Sequence, residues 1–148
     1  ELAIQAGIYS LNIESAEELH QTEAVAARLQ KPMRIAIRIN PDIEVQTHAY
    51  ISTGRHINKF GVSSAEALML FKQARQSRWL KPEGLHVHIG SQITVVQPFL
   101  QAVKFLRDFY EKLQTEQIKL RFLDLGGGIG INYQNNFLDD QAPHTYLK

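Results

Sequence analysis

Three consecutive glycines, Gly126, Gly127 and Gly128, are the strongest chemical signal in the sequence. They directly follow residues 122–125, a short, mainly apolar run of the kind that forms a buried strand. Because glycine has no Cβ atom, its amide can close directly on an anion, which at such a turn is usually a phosphate. The run therefore predicts a phosphate site, with a tight strand-to-loop turn as the alternative. Its spacing fits neither the dinucleotide-binding fingerprint nor the P-loop.

A second group of polar residues closes an earlier predicted strand. His86 and His88 are two positions apart, so both imidazoles are expected on one face of that strand. Two histidines could begin a metal site, but no further ligands stand at a recognisable spacing, and no metal is predicted. A hydrogen-bonded core histidine is the better interpretation of His86. For His88, beside Gly90 and Ser91, a function is favoured, either stacking on an aromatic cofactor or acid–base work.

Other polar residues near strand ends each allow two interpretations. Ser91 could donate its hydroxyl to a phosphate or cap a turn, but it lacks the G-x-S-x-G context of a nucleophile. Arg38 could contact a phosphate, a carboxylate or a ring oxygen, or form a structural ion pair with Glu14 or Asp124. These two carboxylates could also work as an acid–base pair, or only satisfy neighbouring polar groups. Lys59 is either a solvated loop lysine or a contact to an interface or substrate.

The composition narrows the function classes. The chain has 148 residues and a formal net charge of +1, so no strong field points to nucleic acid or to a membrane surface. No apolar run approaches the length of a membrane span. The sequence contains no cysteine, which excludes disulfides and thiolate metal sites within it and fits a cytoplasmic location.

The elements that must position these residues alternate between strand and helix. Strands are predicted at residues 7–13, 34–39, 85–89 and 121–125, and residues 2–4 resemble the tail of a helix. Capping boxes at Ser15 and Ser63 predict helices that end near Gln30 and Ser77, and a third helix is expected over residues 96–114. Its predicted apolar stripe is Phe99, Val103, Leu106, Tyr110 and Leu113. Residues 82–84 are predicted to form a turn, and residues 40–62 an ordered lid or site loop.

The repeated order of strand, polar residues and helix predicts an α/β fold with parallel strands and right-handed crossovers. The polar residues then share the carboxyl edge of the sheet, where a (β/α)8 barrel or a doubly wound sheet places its ligands. Four such units make about half of a barrel of roughly 250 residues. Because the sequence opens at Glu1 in mid-pattern and stops without a closing element, we expect an internal fragment.

Taken together, the motifs resemble the fold-type III pyridoxal-phosphate decarboxylases, and within them the diaminopimelate branch. The resemblance rests on five stretches in the family's order, Ile39-Asn40-Pro41, residues 48–54, Asn58-Lys59-Phe60-Gly61, residues 84–92 and residues 123–128. It covers nearly the whole chain, but only the middle of the family's barrel domain, which is of the alanine-racemase type. It implies a pyridoxal 5'-phosphate cofactor, an amino-acid substrate, a homodimeric full-length enzyme, and production of L-lysine from meso-diaminopimelate.

The resemblance also implies a role for each matching residue. His88 matches the histidine that stacks on the pyridoxal ring, and Ser91 matches a serine that contacts the cofactor phosphate. Gly126, Gly127 and Gly128 match the glycines that bind this phosphate through their amides. Arg38 matches an arginine near the cofactor on the inner wall of the barrel. Lys59 matches a lysine associated with the dimer interface, and it is not the Schiff-base lysine.

Three parts of the family pattern fall outside residues 1–148. The Schiff-base lysine would precede Glu1, the acidic partner of the pyridine nitrogen would follow Lys148, and a cysteine motif belongs to a C-terminal β domain. No catalytic residue is therefore expected within the chain, which should be inactive and marginally stable alone. The alternatives are an ornithine- or arginine-type decarboxylase, a non-catalytic pyridoxal-phosphate carrier, and an unrelated phosphate-binding barrel.

Overall fold

The computed structural model describes residues 1–43 and 60–130 of the chain. These residues form four helices and four strands in the order α1 (Leu2–Ala6), β1 (Leu11–Ile13), α2 (Ala16–Arg28), β2 (Met33–Arg38), α3 (Ser64–Gln76), β3 (Leu80–His86), α4 (Gln97–Thr115) and β4 (Phe122–Asp124). Apart from α1, the described chain repeats strand and helix, as the sequence predicts. No described helix is long and apolar enough to cross a membrane.

The four strands form one parallel sheet in the order β1-β2-β3-β4. Each strand therefore lies beside its predecessor, and the reversal of strand order that defines a doubly wound sheet does not occur among these strands. The sheet is also strongly curved. The curvature is shown by a hydrogen bond across the concave face, in which Asn12 Nδ2 on β1 donates to Asp124 Oδ2 on β4 at 3.3 Å. This arrangement is that of a (β/α)8 barrel wall and confirms the predicted fold class.

The two predicted caps begin the helices that cover the sheet. Ser15 Oγ accepts the Glu18 amide at the start of α2, and Ser63 Oγ accepts the Glu66 amide at the start of α3, both at 3.2 Å. Each bond satisfies one of the free amides of a first helical turn. The Glu18 carboxylate accepts the amide of Glu14 at 2.7 Å. Glu14 precedes the cap, so this return bond lies one residue before its usual place at the cap amide.

Strand alternation separates the core from the site. The side chains of Ile35 and Ile37 on β2 are fully buried, and with Leu19 of α2 and Phe71 of α3 they belong to the main hydrophobic core. Arg38 lies on the opposite, concave face, as predicted from the alternation. The apolar residues thus fix the helices on one side, and the polar residues line the side that faces the interior of a barrel.

The prediction of a turn at residues 82–84 is wrong, because these residues lie inside β3. Pro82 pairs with Ile35 and Gly84 pairs with Ala36, so Glu83 is the additional residue of a β-bulge. A bulge tolerates a proline, which cannot donate to the ladder. Gly84 is needed for close packing, since an added Cβ would lie 2.2 Å from the ring of Phe122.

Other strand boundaries also differ from the prediction. The first strand begins at Leu11 and not at Gly7, because Gly7 ends α1 in the left-handed conformation with φ of 70°. The third strand ends at His86 and not at residue 89. The expected helical character of residues 2–4 is confirmed by α1.

The predicted apolar stripe of α4 is only partly right. The buried residues of this helix are Pro98, Ala102, Leu106, Phe109 and Leu113, whereas Val103 of the predicted stripe is 47% exposed. The buried face is rotated because Phe109 packs against Phe71 of α3, with a distance of 6.5 Å between ring centroids. The sequence alone does not show where α3 lies.

The predicted site loop lies largely outside the described residues, and so does Lys59. Its two ends are nevertheless described, and they meet in a parallel bridge between Ile39 and Val62. The Asn40 amide donates to Val62 O at 2.9 Å, and the Val62 amide donates to Arg38 O at 3.0 Å. The bridge holds the entry and exit of this loop at the carboxyl edge of β2.

Candidate functional site

The carboxyl edge of the sheet brings together the predicted site residues that the structure describes. Arg38 ends β2, while His88 and Ser91 follow β3. These three residues line one side of a cleft of about 320 Å³, together with Asn40, Pro41, Ile43, Phe60, Ile89 and Gly90. The three glycines follow β4 and contact the loop that carries His88 and Ser91. These residues are far apart in the sequence, and the parallel pairing of their strands brings them close together in space.

Two of the three glycines are required by the backbone of the turn. Gly126 and Gly128 have φ angles of 69° and 99° in the left-handed region. An added Cβ at Gly126 would lie 2.7 Å from His88 Nδ1, and one at Gly128 would lie 1.8 Å from the carbonyl oxygen of Gly90. At Gly127 an added Cβ would meet nothing within 4 Å. The turn is therefore packed closely on the preceding loop and is open at its centre.

The amides of the turn have different partners. Gly126 N–H donates to Asp124 Oδ1 at 2.8 Å, and Gly127 N–H donates to His88 Nδ1 at 3.2 Å. Within the described part of the chain, the Gly128 amide has no acceptor. Since Nδ1 of His88 accepts a hydrogen bond, the proton of the neutral ring is on Nε2. The turn thus fixes the tautomer and the orientation of His88 and leaves one amide available for an anion.

Backbone pairing joins the loops after β3 and β4. The Ile93 amide donates to Gly128 O at 2.9 Å, and the Gly130 amide donates to Ile93 O at 2.8 Å. This bridge keeps Ser91 beside Gly128, so that a Cβ added at Gly128 would lie 3.4 Å from Ser91 Cα. Ser91, which carries a hydroxyl donor, and Gly128, whose amide has no described acceptor, are therefore neighbouring residues at this edge of the sheet.

Arg38 forms the predicted ion pair with Glu14. Its Nη1 donates to Glu14 Oε1 at 2.6 Å, and only 13% of the arginine side chain is exposed. The guanidinium carbon also lies 5.4 Å from the ring centroid of Phe60, within the range of a cation–π contact. These contacts confirm the structural interpretation for Arg38, whereas its contact to a cofactor stays a prediction.

His86 is a core histidine, as predicted, but the hydrogen bond expected of it is not formed at Nδ1. This atom is buried, lies 3.0 Å from Asp124 Oδ2, and has no hydrogen-bond partner because the ring is not aligned with the carboxylate. Burial lowers the pKa of His86; the charge of Asp124 opposes this shift and that of Arg38 adds to it. The imidazole is therefore neutral at neutral pH.

Sequence reasoning missed Asn12 and Phe60 as residues of this edge. Asn12 stands between Leu11 and Ile13, so the alternation on β1 was the signal that could have placed it on the polar face.

In residues 1–43 and 60–130, no three His, Asp or Glu side chains are arranged to hold a metal ion.

The arrangement fits a flat ring that carries a phosphate. Gly128 N–H and the Ser91 hydroxyl belong to neighbouring residues and are donors of the kind that bind phosphate oxygens. The ring of His88 lines the neighbouring cleft in an orientation fixed by Gly127. The close packing at Gly126 and Gly128 leaves no space for a Cβ, while the position of Gly127 is open. These donors and the neighbouring cleft fit pyridoxal 5'-phosphate, the cofactor that the resemblance implies.

Comparison with known proteins gives a consistent result. The family described as pyridoxal-dependent decarboxylase, pyridoxal binding domain, matches residues 1–145. The diaminopimelate decarboxylase of Neisseria meningitidis serogroup A is 43% identical over 145 residues, which are 98% of this chain and 36% of that protein. The chain thus spans about a third of the length of the relatives it matches.

Two solved structures of diaminopimelate decarboxylases have a similar fold. That from Helicobacter pylori, complexed with L-lysine, has a TM-score of 0.83 and 44% identity, and the match covers 92% of this chain and 34% of that one. That from M. jannaschii, in co-complex with L-lysine, has a TM-score of 0.80 and 36% identity, covering 93% and 32%. The chain therefore belongs to the pyridoxal-dependent decarboxylases, and it falls in their pyridoxal-binding domain.

Proposed function

We propose that the chain is the middle of the barrel domain of a diaminopimelate decarboxylase. The complete enzyme would release CO2 from meso-diaminopimelate and form L-lysine. The single observation that carries this proposal is the similarity to diaminopimelate decarboxylases over almost the whole chain. The carboxyl edge of the sheet supports it, because His88, Ser91 and the glycine turn come together there.

The cofactor is pyridoxal 5'-phosphate, which supplies an electron sink for the bond that breaks when CO2 leaves. In this chain, Gly128 N–H and the Ser91 hydroxyl would donate to its phosphate. The His88 ring would lie against its pyridine ring, and Gly127 N–H would keep that imidazole from rotating. These contacts hold the cofactor in place while its reactive end faces the substrate.

Arg38 would act from the inner wall of the barrel. Its Nη1 is held by Glu14, which fixes the direction of the guanidinium and leaves other N–H groups to donate to a cofactor oxygen. The Phe60 ring lies 5.4 Å from the guanidinium carbon of Arg38 and makes a cation–π contact with it. We propose that Arg38 orients the cofactor and is not the group that binds the substrate carboxylate.

The resemblance to fold-type III decarboxylases supports two further parts of the proposal. The complete enzyme is proposed to be a cytoplasmic homodimer, with Lys59 at or near the subunit interface. Analytical ultracentrifugation of the complete enzyme would show a mass of two subunits. If that dimer persists in a Lys59→Glu variant without any loss of affinity between subunits, the role of Lys59 is refuted.

The test of the function uses the complete enzyme that contains residues 1–148. Its absorption spectrum is recorded during titration with pyridoxal phosphate, and CO2 release is measured with meso-diaminopimelate, ornithine and arginine side by side. A visible cofactor band with turnover on diaminopimelate alone is the expected result. Turnover on ornithine or arginine would assign the enzyme to the related branch, and a band without turnover on any of the three would indicate a carrier protein.

A further inference from the structure

The Asp124 carboxylate at the end of β4 connects three strands of the sheet. Its Oδ1 accepts the Gly126 amide at 2.8 Å. Its Oδ2 accepts a hydrogen bond from Asn12 Nδ2 of β1 at 3.3 Å and lies 3.0 Å from His86 Nδ1 of β3. One oxygen therefore contacts the glycine turn, and the other lies against side chains of β1 and β3 on the concave face.

The bond to Gly126 determines the shape of the turn. An aspartate that accepts the amide two residues later forms an Asx-turn, which replaces a backbone hydrogen bond by a side-chain one. The acceptor is charged, so the bond is stronger than one between neutral groups. Gly126 itself has a φ of 69°, a region that glycine enters and leaves freely. Without the acceptor on Asp124, three consecutive glycines would leave the backbone of this turn free to adopt other conformations.

The direction of the next two amides depends on this first bond. Once Gly126 is fixed, Gly127 N–H reaches His88 Nδ1 at 3.2 Å. The Gly128 carbonyl then accepts the Ile93 amide at 2.9 Å, which ties the end of the turn to the loop after β3. The Gly128 amide has no acceptor in the described part of the chain and can therefore donate to a ligand.

We propose that Asp124 is a positioning residue, which sets the glycine turn for the phosphate of the cofactor, and that the hydrogen bond from Asn12 holds its carboxylate in place. The proposal rests on the function proposed above, because it assigns the phosphate of pyridoxal phosphate to this turn. Asp124 does not contact the reacting atoms. Its effect should therefore appear in cofactor affinity and depend on the phosphate group.

The experiment compares pyridoxal phosphate with pyridoxal, which has the same ring and aldehyde but no phosphate. Dissociation constants of both are measured for the complete apoenzyme and for Asp124→Ala. We expect the constant for pyridoxal phosphate to rise about tenfold, the effect of losing one charge-assisted hydrogen bond in the phosphate site. The constant for pyridoxal should change less than about twofold, since the ring contacts are kept.

Two further variants separate positioning from a general structural role. Asp124→Asn keeps an oxygen that can accept the Gly126 amide, so its affinity for pyridoxal phosphate should stay within about threefold of the original enzyme. Glu83→Ala removes another carboxylate of the same sheet. This carboxylate lies away from the glycine turn and pairs with Arg34, with 2.6 Å between the two charged groups. This control should lower the melting temperature without discriminating between pyridoxal phosphate and pyridoxal.

Equal weakening of both ligands in Asp124→Ala, or no weakening of either, would overturn the proposal. If this variant does not fold, Asn12→Ala decides, because it leaves the carboxylate in place and removes only its support. A selective loss of pyridoxal phosphate in Asn12→Ala supports positioning, and a loss common to both ligands refutes it. An original enzyme that fails to bind pyridoxal phosphate would instead refute the proposed function.

Discussion

Gly127 and Gly128 are neighbours with opposite steric requirements. An alanine at Gly128 would place Cβ 1.8 Å from the Gly90 carbonyl oxygen at a φ of 99°. We expect Gly128→Ala to lose at least roughly 1–3 kcal/mol of stability from backbone strain alone. The turn would also have to move away from Ser91, so affinity for pyridoxal phosphate should fall. Thermal melting and cofactor titration of the complete enzyme measure both effects.

Gly127→Ala is the matched control for this prediction. An added Cβ there meets nothing within 4 Å, and the residue does not have a positive φ. Its melting temperature should therefore stay within about 2 °C of the original, the range of a surface substitution in a domain of this size. A melting temperature for Gly128→Ala equal to that of Gly127→Ala would show that the described packing of the turn is incorrect.

His86 gives the molecule a predictable response to acid. Burial lowers its native pKa, whereas the unfolded chain titrates near the ordinary value of about 6.5. As the pH falls below that value, the unfolded state takes up a proton first. The contribution to stability is thus complete above about pH 6.5 and is lost as the pH falls toward the native pKa.

The variant His86→Asn removes this titration. We expect the difference in unfolding free energy between pH 8 and pH 5.5 to be smaller for His86→Asn than for the original protein. Urea denaturation at the two pH values measures this difference. Both proteins have the same titrating carboxylates, so the comparison isolates the effect of His86. An unchanged difference would mean that burial does not lower the pKa of His86 in the native protein.

Single residues could be predicted where the signal was local. His88 and Ser91 were identified because polar side chains after a strand end share the site edge in parallel folds. The contact between Asn12 and Asp124 joins residues 112 positions apart and depends on how far the sheet curves. The curvature of a sheet cannot be predicted from the spacing of residues in the sequence. Asp124 could therefore be named as a candidate, but its partners could not be determined.

Helix starts were the elements that the sequence determined best. A serine cap and the amide three residues later are a local pair, and both predicted caps are formed. The bulge in β3 and the buried face of α4 could not be found in this way. Each depends on a neighbour, Ala36 on β2 for the bulge and Phe71 on α3 for the helix face.

The two serines at the start of α3 allow a direct test of its cap. Ser63 Oγ accepts the Glu66 amide, whereas Ser64 is the first residue of the helix. Ser63→Ala should destabilise the protein by about 1 kcal/mol, because one amide of the first turn loses its acceptor. The adjacent change Ser64→Ala should have a smaller effect, since alanine is favoured within a helix. Urea denaturation of the two variants measures the difference, and equal losses would contradict the assigned cap.

The order of the strands in the sheet follows their order in the chain, which is the order of the barrel that the family resemblance implied. Four parallel strands with consecutive neighbours can be extended on both sides, because β1 and β4 each have only one partner among the described strands. On β4, Leu123 is 50% exposed and Leu125, just beyond it, is 43% exposed. A parallel sheet is normally covered on both faces, so these apolar residues indicate a surface that a complete barrel would bury.

This geometry leads to a prediction for residues 1–148 expressed alone. No lysine lines the described cleft, so the amine that the family uses to hold the cofactor aldehyde is lacking there. We expect no CO2 release from meso-diaminopimelate by the isolated chain. With two strand edges and apolar side chains exposed, it should also aggregate or melt without cooperativity.

The two parts of this prediction can fail separately. Turnover by the purified chain would show that residues 1–148 contain a complete catalytic site and would refute the assignment of the essential amine to another part of the enzyme. A cooperative melt from a soluble monomer would instead show that the four strands fold without the rest of a barrel. Light scattering and calorimetry on the same sample show whether the chain is a monomer that melts cooperatively. If it is, but it has no activity, the essential amine still lies in another part of the enzyme. The complete enzyme, assayed in parallel, is the positive control for turnover.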